Sequence, residues 1–265
     1  MTIFQALILG LVQGITEFLP VSSSGHLILF PEFFGWELQG YDFDVLIHVA
    51  TLCAIFWVLR EDLLGISKGF FSKRSTGEGV LGMKIFIATV PVVVAGLFIA
   101  GAFLDDLRNP TTVAVMLIVW GVVLWIADEV SKRYKRSTTA PARTTWQQAI
   151  IIGLFQMAAL IPGSSRSGVT MSGGLFAGMN RETAARFSFL LAIPAVGGAA
   201  IFVLFDAIEV GFQTDFFPLL VGFAAAFFSG MISIRLLLAF LQKATFRSFA
   251  LYRIVLGIVV LLIFL

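Results

Sequence analysis

Apolar residues run in long blocks along this chain, and short polar segments interrupt them. The blocks are Val45–Leu59, Ile85–Phe103, Val113–Ala127, Phe187–Phe205, Phe216–Leu241 and Phe249–Leu265. With their flanks, each is near or above the ~17–25 residues that a helical bilayer crossing needs. A membrane β-barrel would instead alternate apolar and polar residues in segments of about ten. The pattern predicts an all-α polytopic membrane protein with about six full crossings, at 45–60, 85–104, 112–130, 187–205, 216–241 and 249–265.

Two other apolar stretches are broken in the middle. One reads GITEFLPVSSSGH, Gly14 to His26, and the other LIPGSSRSGVT, Leu160 to Thr170. Each turns at a Pro-Ser-Gly segment, so residues 1–34 and 146–180 are expected to form two re-entrant hairpins of broken half-helices. Non-helical backbone at membrane depth is tolerated only where it lines a cavity or is buried in protein.

The placement of charge sets the topology. Lys and Arg gather in four loops: Arg60, Lys68, Lys73, Arg74 and Lys84; Lys132, Arg133, Lys135, Arg136 and Arg143; Arg181 and Arg186; Lys243 and Arg247. The positive-inside rule makes these cytoplasmic. The alternate loops, Glu32–Asp44, Asp105–Pro110 and Asp206–Asp215, are acidic or poor in Lys and Arg. With six crossings, the first hairpin then enters and leaves on the outer side and the second on the cytoplasmic side. The segments Ile8–Gln13 (ILGLVQ) and Ile151–Gln156 (IIGLFQ) are alike, and each precedes Pro, Ser-Ser and Gly. The chain therefore reads as one membrane domain, 1–265, holding an inverted-topology repeat of approximately 1–135 and 145–265. Such repeats hold their sites where the halves meet, near the midplane.

Composition narrows the chemistry. Charged residues make up 13% of the chain and hydrophobic ones 58%, against about 25% charged in soluble domains. Polar groups in such a chain are functional by default. The first apolar run has no basic segment before it, so no cleavable signal peptide is expected. Cys53 stands alone, which excludes an intrachain disulfide and a cysteine metal site. The basic loops are short and topogenic, so nucleic-acid binding is not expected.

The two motifs supply a nucleophile set, a proton-transfer set and an anion clamp. Ser22, Ser23 and Ser24 follow Pro20, where a second half-helix starts, and Ser is a preferred N-cap. Ser164, Ser165 and Ser167 repeat this and add Arg166. Helix N-termini offer free N–H groups and partial positive charge to a phosphate, and Arg suits bidentate phosphate contact. An anionic head group follows. His26 lies three residues after Ser23, on one helical face, within reach for general acid–base work on that hydroxyl. Glu17 could orient His26, bind a divalent cation or hold a proton. A plain cap, a packed histidine and an interfacial Arg are the bland alternatives, and their joint occurrence in two related hairpins weighs against them. His48, four residues after Asp44, is expected to make a helix-end hydrogen bond, with a place in the pocket as the alternative. Asp128 and Glu129 read as interfacial, and Arg235 and Arg253 as snorkelling from cytoplasmic helix ends.

The segments QGITEFLPVSSSGH and PGSSRSGVTMSGG, followed by RFSFLLAIP (Arg186 to Pro194), resemble the undecaprenyl-diphosphate phosphatase family, linked to bacitracin resistance, of bacterial inner membranes. The resemblance covers essentially the whole chain. It implies removal of one phosphate from the long-chain isoprenoid diphosphate, regenerating the lipid carrier of cell-wall synthesis. It implies catalytic roles for Glu17, Ser23, His26 and Arg166, and phosphate contacts from Ser165, Ser167 and Thr170. Ser22, Ser24, Ser164 and Gln13 join these as candidate substrate-binding residues. It implies a divalent cation, Mg2+ or Ca2+, with Glu17 as a ligand, and a site open to the periplasm. Gln13 departs from members with Glu there, where two carboxylates lie four residues apart. With Glu17 alone, substrate phosphates would supply most metal ligands.

Two other classes compete. A secondary transporter or flippase for a prenyl phosphate lipid would share the inverted repeat, but needs no nucleophile beside a proton carrier. An intramembrane serine protease would need an oxyanion hole rather than a fixed Arg. Attack by Ser23 and attack by activated water are the two routes these residues allow.

Overall fold

The computed structural model describes residues 1–72, 77–99, 107–134, 137–210 and 214–264. Lys73, Arg74, Asp105, Asp106, Lys135 and Arg136 of the expected loops lie outside the described residues, as do 100–104 of one expected crossing. The α-helices among the described residues are α1 (Ile3–Phe18), α2 (Ser23–Phe34), α3 (Tyr41–Val58), α4 (Arg60–Phe71), α5 (Gly77–Ile99), α6 (Pro110–Ser131), α7 (Trp146–Gln156), α8 (Arg166–Phe176), α9 (Arg181–Val210), α10 (Phe216–Leu241) and α11 (Arg247–Phe264).

Five of these, α3, α5, α6, α10 and α11, are long and apolar enough to cross a membrane. The crossing expected at 187–205 lies inside α9, whose 30 residues extend about 45 Å at 1.5 Å per residue. The chain is a multi-pass membrane protein. The pairs α1/α2 and α7/α8 are different. Their helices hold 16, 12, 11 and 11 residues, too few to span a core of about 30 Å.

The two pairs match position for position. Thr2 and Thr145 both cap their helix in a capping box, with Gln5 and Gln148 returning the bond. The same sequence offset relates Gln13 to Gln156, Ser22 to Ser165 and Gly25 to Gly168. It also relates Gly10, against Gly222 of α10, to Gly153, against Ala88 of α5; a Cβ on either would meet a backbone oxygen. The bare backbone lets α1 lie along α10 and α7 along α5. Around these, α6 pairs with α11 and α3 with α9.

Two expectations are corrected. The segment after α3, expected as a basic loop, forms α4. Glu61 and Asp62 in its first turn and Lys68 in its last complement the helix dipole, and it packs on α5. Asp128, expected at an interface, is wholly buried. Arg181 grips both its oxygens, through Nε at 2.6 Å and Nη2 at 3.2 Å, and a fork of this kind makes the burial of the charge tolerable.

Candidate active site

The first hairpin turns at Leu19–Ser22 and the second at Ile161–Ser165. At each turn the last residue before the helix is a serine with positive φ, 76° at Ser22 and 71° at Ser165. These are the only non-glycine residues of that kind among those described. A side chain in this region is strained, and such strain collects at functional sites. Each serine hydroxyl accepts from an amide inside its helix, Gly25 N at 3.2 Å and Gly168 N at 3.1 Å. The bend and cap together set the first residue of the next helix, Ser23 in one hairpin and Arg166 in the other.

Those two residues converge on Glu17, in the last turn of α1. Ser23 Oγ donates to Glu17 Oε2 at 2.6 Å, and Arg166 Nη2 donates to Oε1 at 2.7 Å. Gln13 Nε2 donates to Oε2 at 3.1 Å. His48 Nε2 lies 3.8 Å from the same oxygen. Glu17 is 7% exposed and Arg166 13%, so the pair sits inside the protein and each charge offsets the other's desolvation. Arg166 Nη1 donates to Ser188 O at 2.9 Å, while its Nε is buried without a partner. An arginine that keeps a buried donor free beside a hydroxyl is equipped to take up an oxyanion.

The candidate phosphate residues divide. Ser167 Oγ donates to Leu19 O at 3.0 Å and so ties the second turn to the first. Thr170 Oγ1 donates to Arg166 O at 2.8 Å and lies 2.7 Å from Ser188 Oγ. With the caps Ser22 and Ser165, these hydroxyls build the turns. Ser164 Oγ stays buried with no partner, and Gln13 keeps Oε1 unpaired. Ser24 lies on the wall of an adjoining cavity of about 370 Å³.

The expected Ser23–His26 pair is not formed. His26 Nδ1 lies 2.7 Å from Ser22 O and Nε2 2.7 Å from Tyr252 Oη. A carbonyl can only accept, so Nδ1 carries the proton and Nε2 accepts from Tyr252. The reason is local: a histidine four residues into a helix can reach back to a carbonyl of the first turn, and here it does so while Glu17 takes the Ser23 hydroxyl. The group that accepts the Ser23 hydrogen bond is thus Glu17.

Arg253 is a second correction. It is wholly buried rather than snorkelling. It donates to Pro20 O of one turn (3.3 Å), to Gly163 O and Ser164 O of the other (3.1 and 2.8 Å), and to Leu117 O and Met116 O of α6 (both 3.4 Å). Among the described contacts it meets only carbonyls, so it is a strut, and Arg166 is the arm that faces the cavity.

His48 fills both of its expected places. Its Nδ1 bonds Asp44 O at 2.7 Å, and the ring lines a cavity of about 360 Å³ shared with Gln156 and Arg166. Gln156 is completely buried with Oε1 unpaired. Its signal was the repeated ILGLVQ/IIGLFQ segment, whose last residues are Gln13 and Gln156. Tyr252, Ser188 and Arg253 carried no comparable local signal.

Known proteins match this chain over nearly its full length. The "Undecaprenyl-diphosphatase" of Marinobacter nauticus is 42% identical over 261 residues, covering 97% of each chain. That of Alteromonas mediterranea is 40% identical over 266 residues, 98% of each. The "Undecaprenyl-diphosphatase 2" of Stutzerimonas stutzeri is 38% identical over 268 residues, 100% of this chain and 99% of its own. A family profile described as "Bacitracin resistance protein BacA" matches residues 6–259, and the chain belongs to that family.

Proposed function

We propose that this protein hydrolyses undecaprenyl diphosphate to undecaprenyl phosphate and inorganic phosphate, in a cavity between the two hairpins. The observation that carries the reading is the junction at Glu17, where a serine hydroxyl and an arginine with a spare buried donor meet one carboxylate. Near-full-length relatives that bear the diphosphatase name support it.

The terminal phosphate takes the place beside Arg166 and the two helix N-termini, and Arg166 exchanges its hold on Glu17 for the phosphate oxygens. Freed of that cation, Glu17 is the base in contact with Ser23. Ser23 Oγ attacks the terminal phosphorus as its proton passes to Glu17. The bond from that phosphorus to the bridging oxygen breaks, and undecaprenyl phosphate leaves. Water then attacks the phosphoserine, the bond from Ser23 Oγ to phosphorus breaks, the proton held by Glu17 returns to Ser23 Oγ, and inorganic phosphate leaves. The 2.6 Å Ser23–Glu17 contact favours this covalent route over direct water attack. His26 and Tyr252 brace the start of α2 and so hold Ser23. Most catalysis of such transfers is positioning and charge stabilisation.

A divalent cation, Mg2+ or Ca2+, fits the donor set only in part. Glu17 and the unpaired Oε1 of Gln13 are hard oxygen ligands side by side, while the described residues hold no cluster of three or more acidic, His or Cys ligands. Substrate phosphates would complete the shell, and the ion would neutralise the diphosphate. We place the protein in the bacterial inner membrane as an inverted repeat, with re-entrant hairpins, the isoprenoid chain between helices and the site open to the periplasm. The matched capping boxes and positive-φ serines support that symmetry.

The test is phosphate release from undecaprenyl diphosphate by detergent-purified protein, with and without EDTA, beside Arg166→Ala. The expected result is metal-dependent release that falls about 10²–10³-fold in the variant. Well-folded wild-type protein that binds the lipid yet releases nothing overturns the reading in favour of a carrier.

A further inference from the structure

The cavity lined by Arg166 has a second cation that the chemistry above leaves unused. Arg108, just before α6, lines the same cavity as Arg166 and also the adjoining one. The two cavities share Tyr41, Asp44, His48 and Leu160 as well. Tyr41, Asp44 and His48 are spaced by three and four residues on α3, so they form one face.

Arg108 is held loosely. Nη2 meets Asp44 Oδ2 at 3.2 Å, a single contact rather than a fork. The guanidinium lies over the Tyr41 ring, 5.0 Å from its centre. Its side chain is 31% exposed against 14% for Asp44. Asp44 has another partner, since Gln39 Nε2 donates to Oδ1 at 2.8 Å. The carboxylate is therefore not orphaned if Arg108 turns away, and Arg108 keeps donors for a new anion.

A diphosphate has two anionic centres, and a cavity with two arginines can meet both. Arg166 is paired to the carboxylate that touches the nucleophile, so its phosphate is the one that is cut. We infer that Arg108 binds the phosphate that stays on the lipid, and that Asp44 is the anion standing in for it when the cavity is empty. Arg108 is then a specificity-determining residue that favours diphosphate over monophosphate substrates. His48 lines both cavities and lies between this subsite and Glu17. The inference rests on the phosphatase reading.

The experiment uses full-length protein in detergent, with a prenyl diphosphate as substrate and inorganic phosphate and a prenyl monophosphate as competitors. Arg108→Gln is expected to raise KM about 10- to 100-fold with kcat changed far less. Inhibition by the monophosphate, which occupies the lipid-side place, weakens by a similar factor. Inhibition by inorganic phosphate, which occupies the Arg166 place, stays within about twofold of wild type. Asp44→Asn removes the rival anion and moves monophosphate inhibition the opposite way. Unchanged KM in Arg108→Gln, or equal weakening of both inhibitors, overturns the inference. So does loss of the same kind in both variants, because a structural strut would be broken from either side. A wild type that releases no phosphate indicts the phosphatase reading instead.

Discussion

The two hairpin turns share a backbone and differ in chemistry. Both use a strained serine cap followed by a new helix, and both come from an apolar helix that opens with the same capping box. At the next position one has Ser23 and the other Arg166. Where the first has Glu17 and His26, the second has Leu160 and Val169. On the proposed reading one turn holds the nucleophile and base, and the other the cation. A symmetric frame aims two helix N-termini at one place, and asymmetric side chains divide the labour there. Neither turn is sufficient, because Glu17 is buried as a charge only while Arg166 or another cation faces it.

The largest effect should come from making the first turn chemically blank. Ser23→Ala leaves cap and backbone intact, so binding of the lipid should persist while kcat falls about 10³-fold or more. A radiolabelled substrate should leave a phosphoserine in the parent protein and none in the variant. Near-normal turnover would remove the covalent route and leave Glu17 to activate water.

Next in size is the strut that joins the turns. Arg253→Met keeps much of the volume but strands the carbonyls of Pro20, Gly163 and Ser164. A loss of about 2–4 kcal/mol in stability is expected, read as a lowered melting temperature in detergent. Both turns should loosen together, visible as faster amide exchange in α2 and α8 alike.

The smallest effect tests the symmetry itself. Ser22→Gly and Ser165→Gly each relieve a positive φ and each lose a cap hydroxyl, for which Gly is a fair substitute. Each should change stability by less than about 1 kcal/mol, and by the same amount within error. Unequal shifts would mean that one turn is strained by its side-chain chemistry and not by its backbone.

The crossings were legible because a run of apolar residues needs no partner to be recognised. The ends of α6 and α10 fall within two residues of the expected 112–130 and 216–241. The helix α4 was hidden because Arg60 and Lys68 read as loop charge, although Glu61 and Asp62 suit a helix start. The hairpins announced themselves through proline and serine runs, and Glu17, Ser23 and Arg166 through charge or hydroxyl in an apolar setting. Partners are another matter. Spacing placed His26 and Ser23 on one face, but Tyr252 and Ser22 O claimed the ring from directions that spacing does not encode. Arg253 looked like a helix-end cation because its five carbonyl partners lie on three other segments of the chain.

The position of Arg253 also constrains how the machine can move. One guanidinium holds carbonyls of both hairpin turns and of α6, wholly buried in the protein. A motion that parted the two turns would have to break those buried bonds. The two turns are therefore tied to each other through one side chain. A staple of this kind favours turns that keep their relative positions over turns that separate.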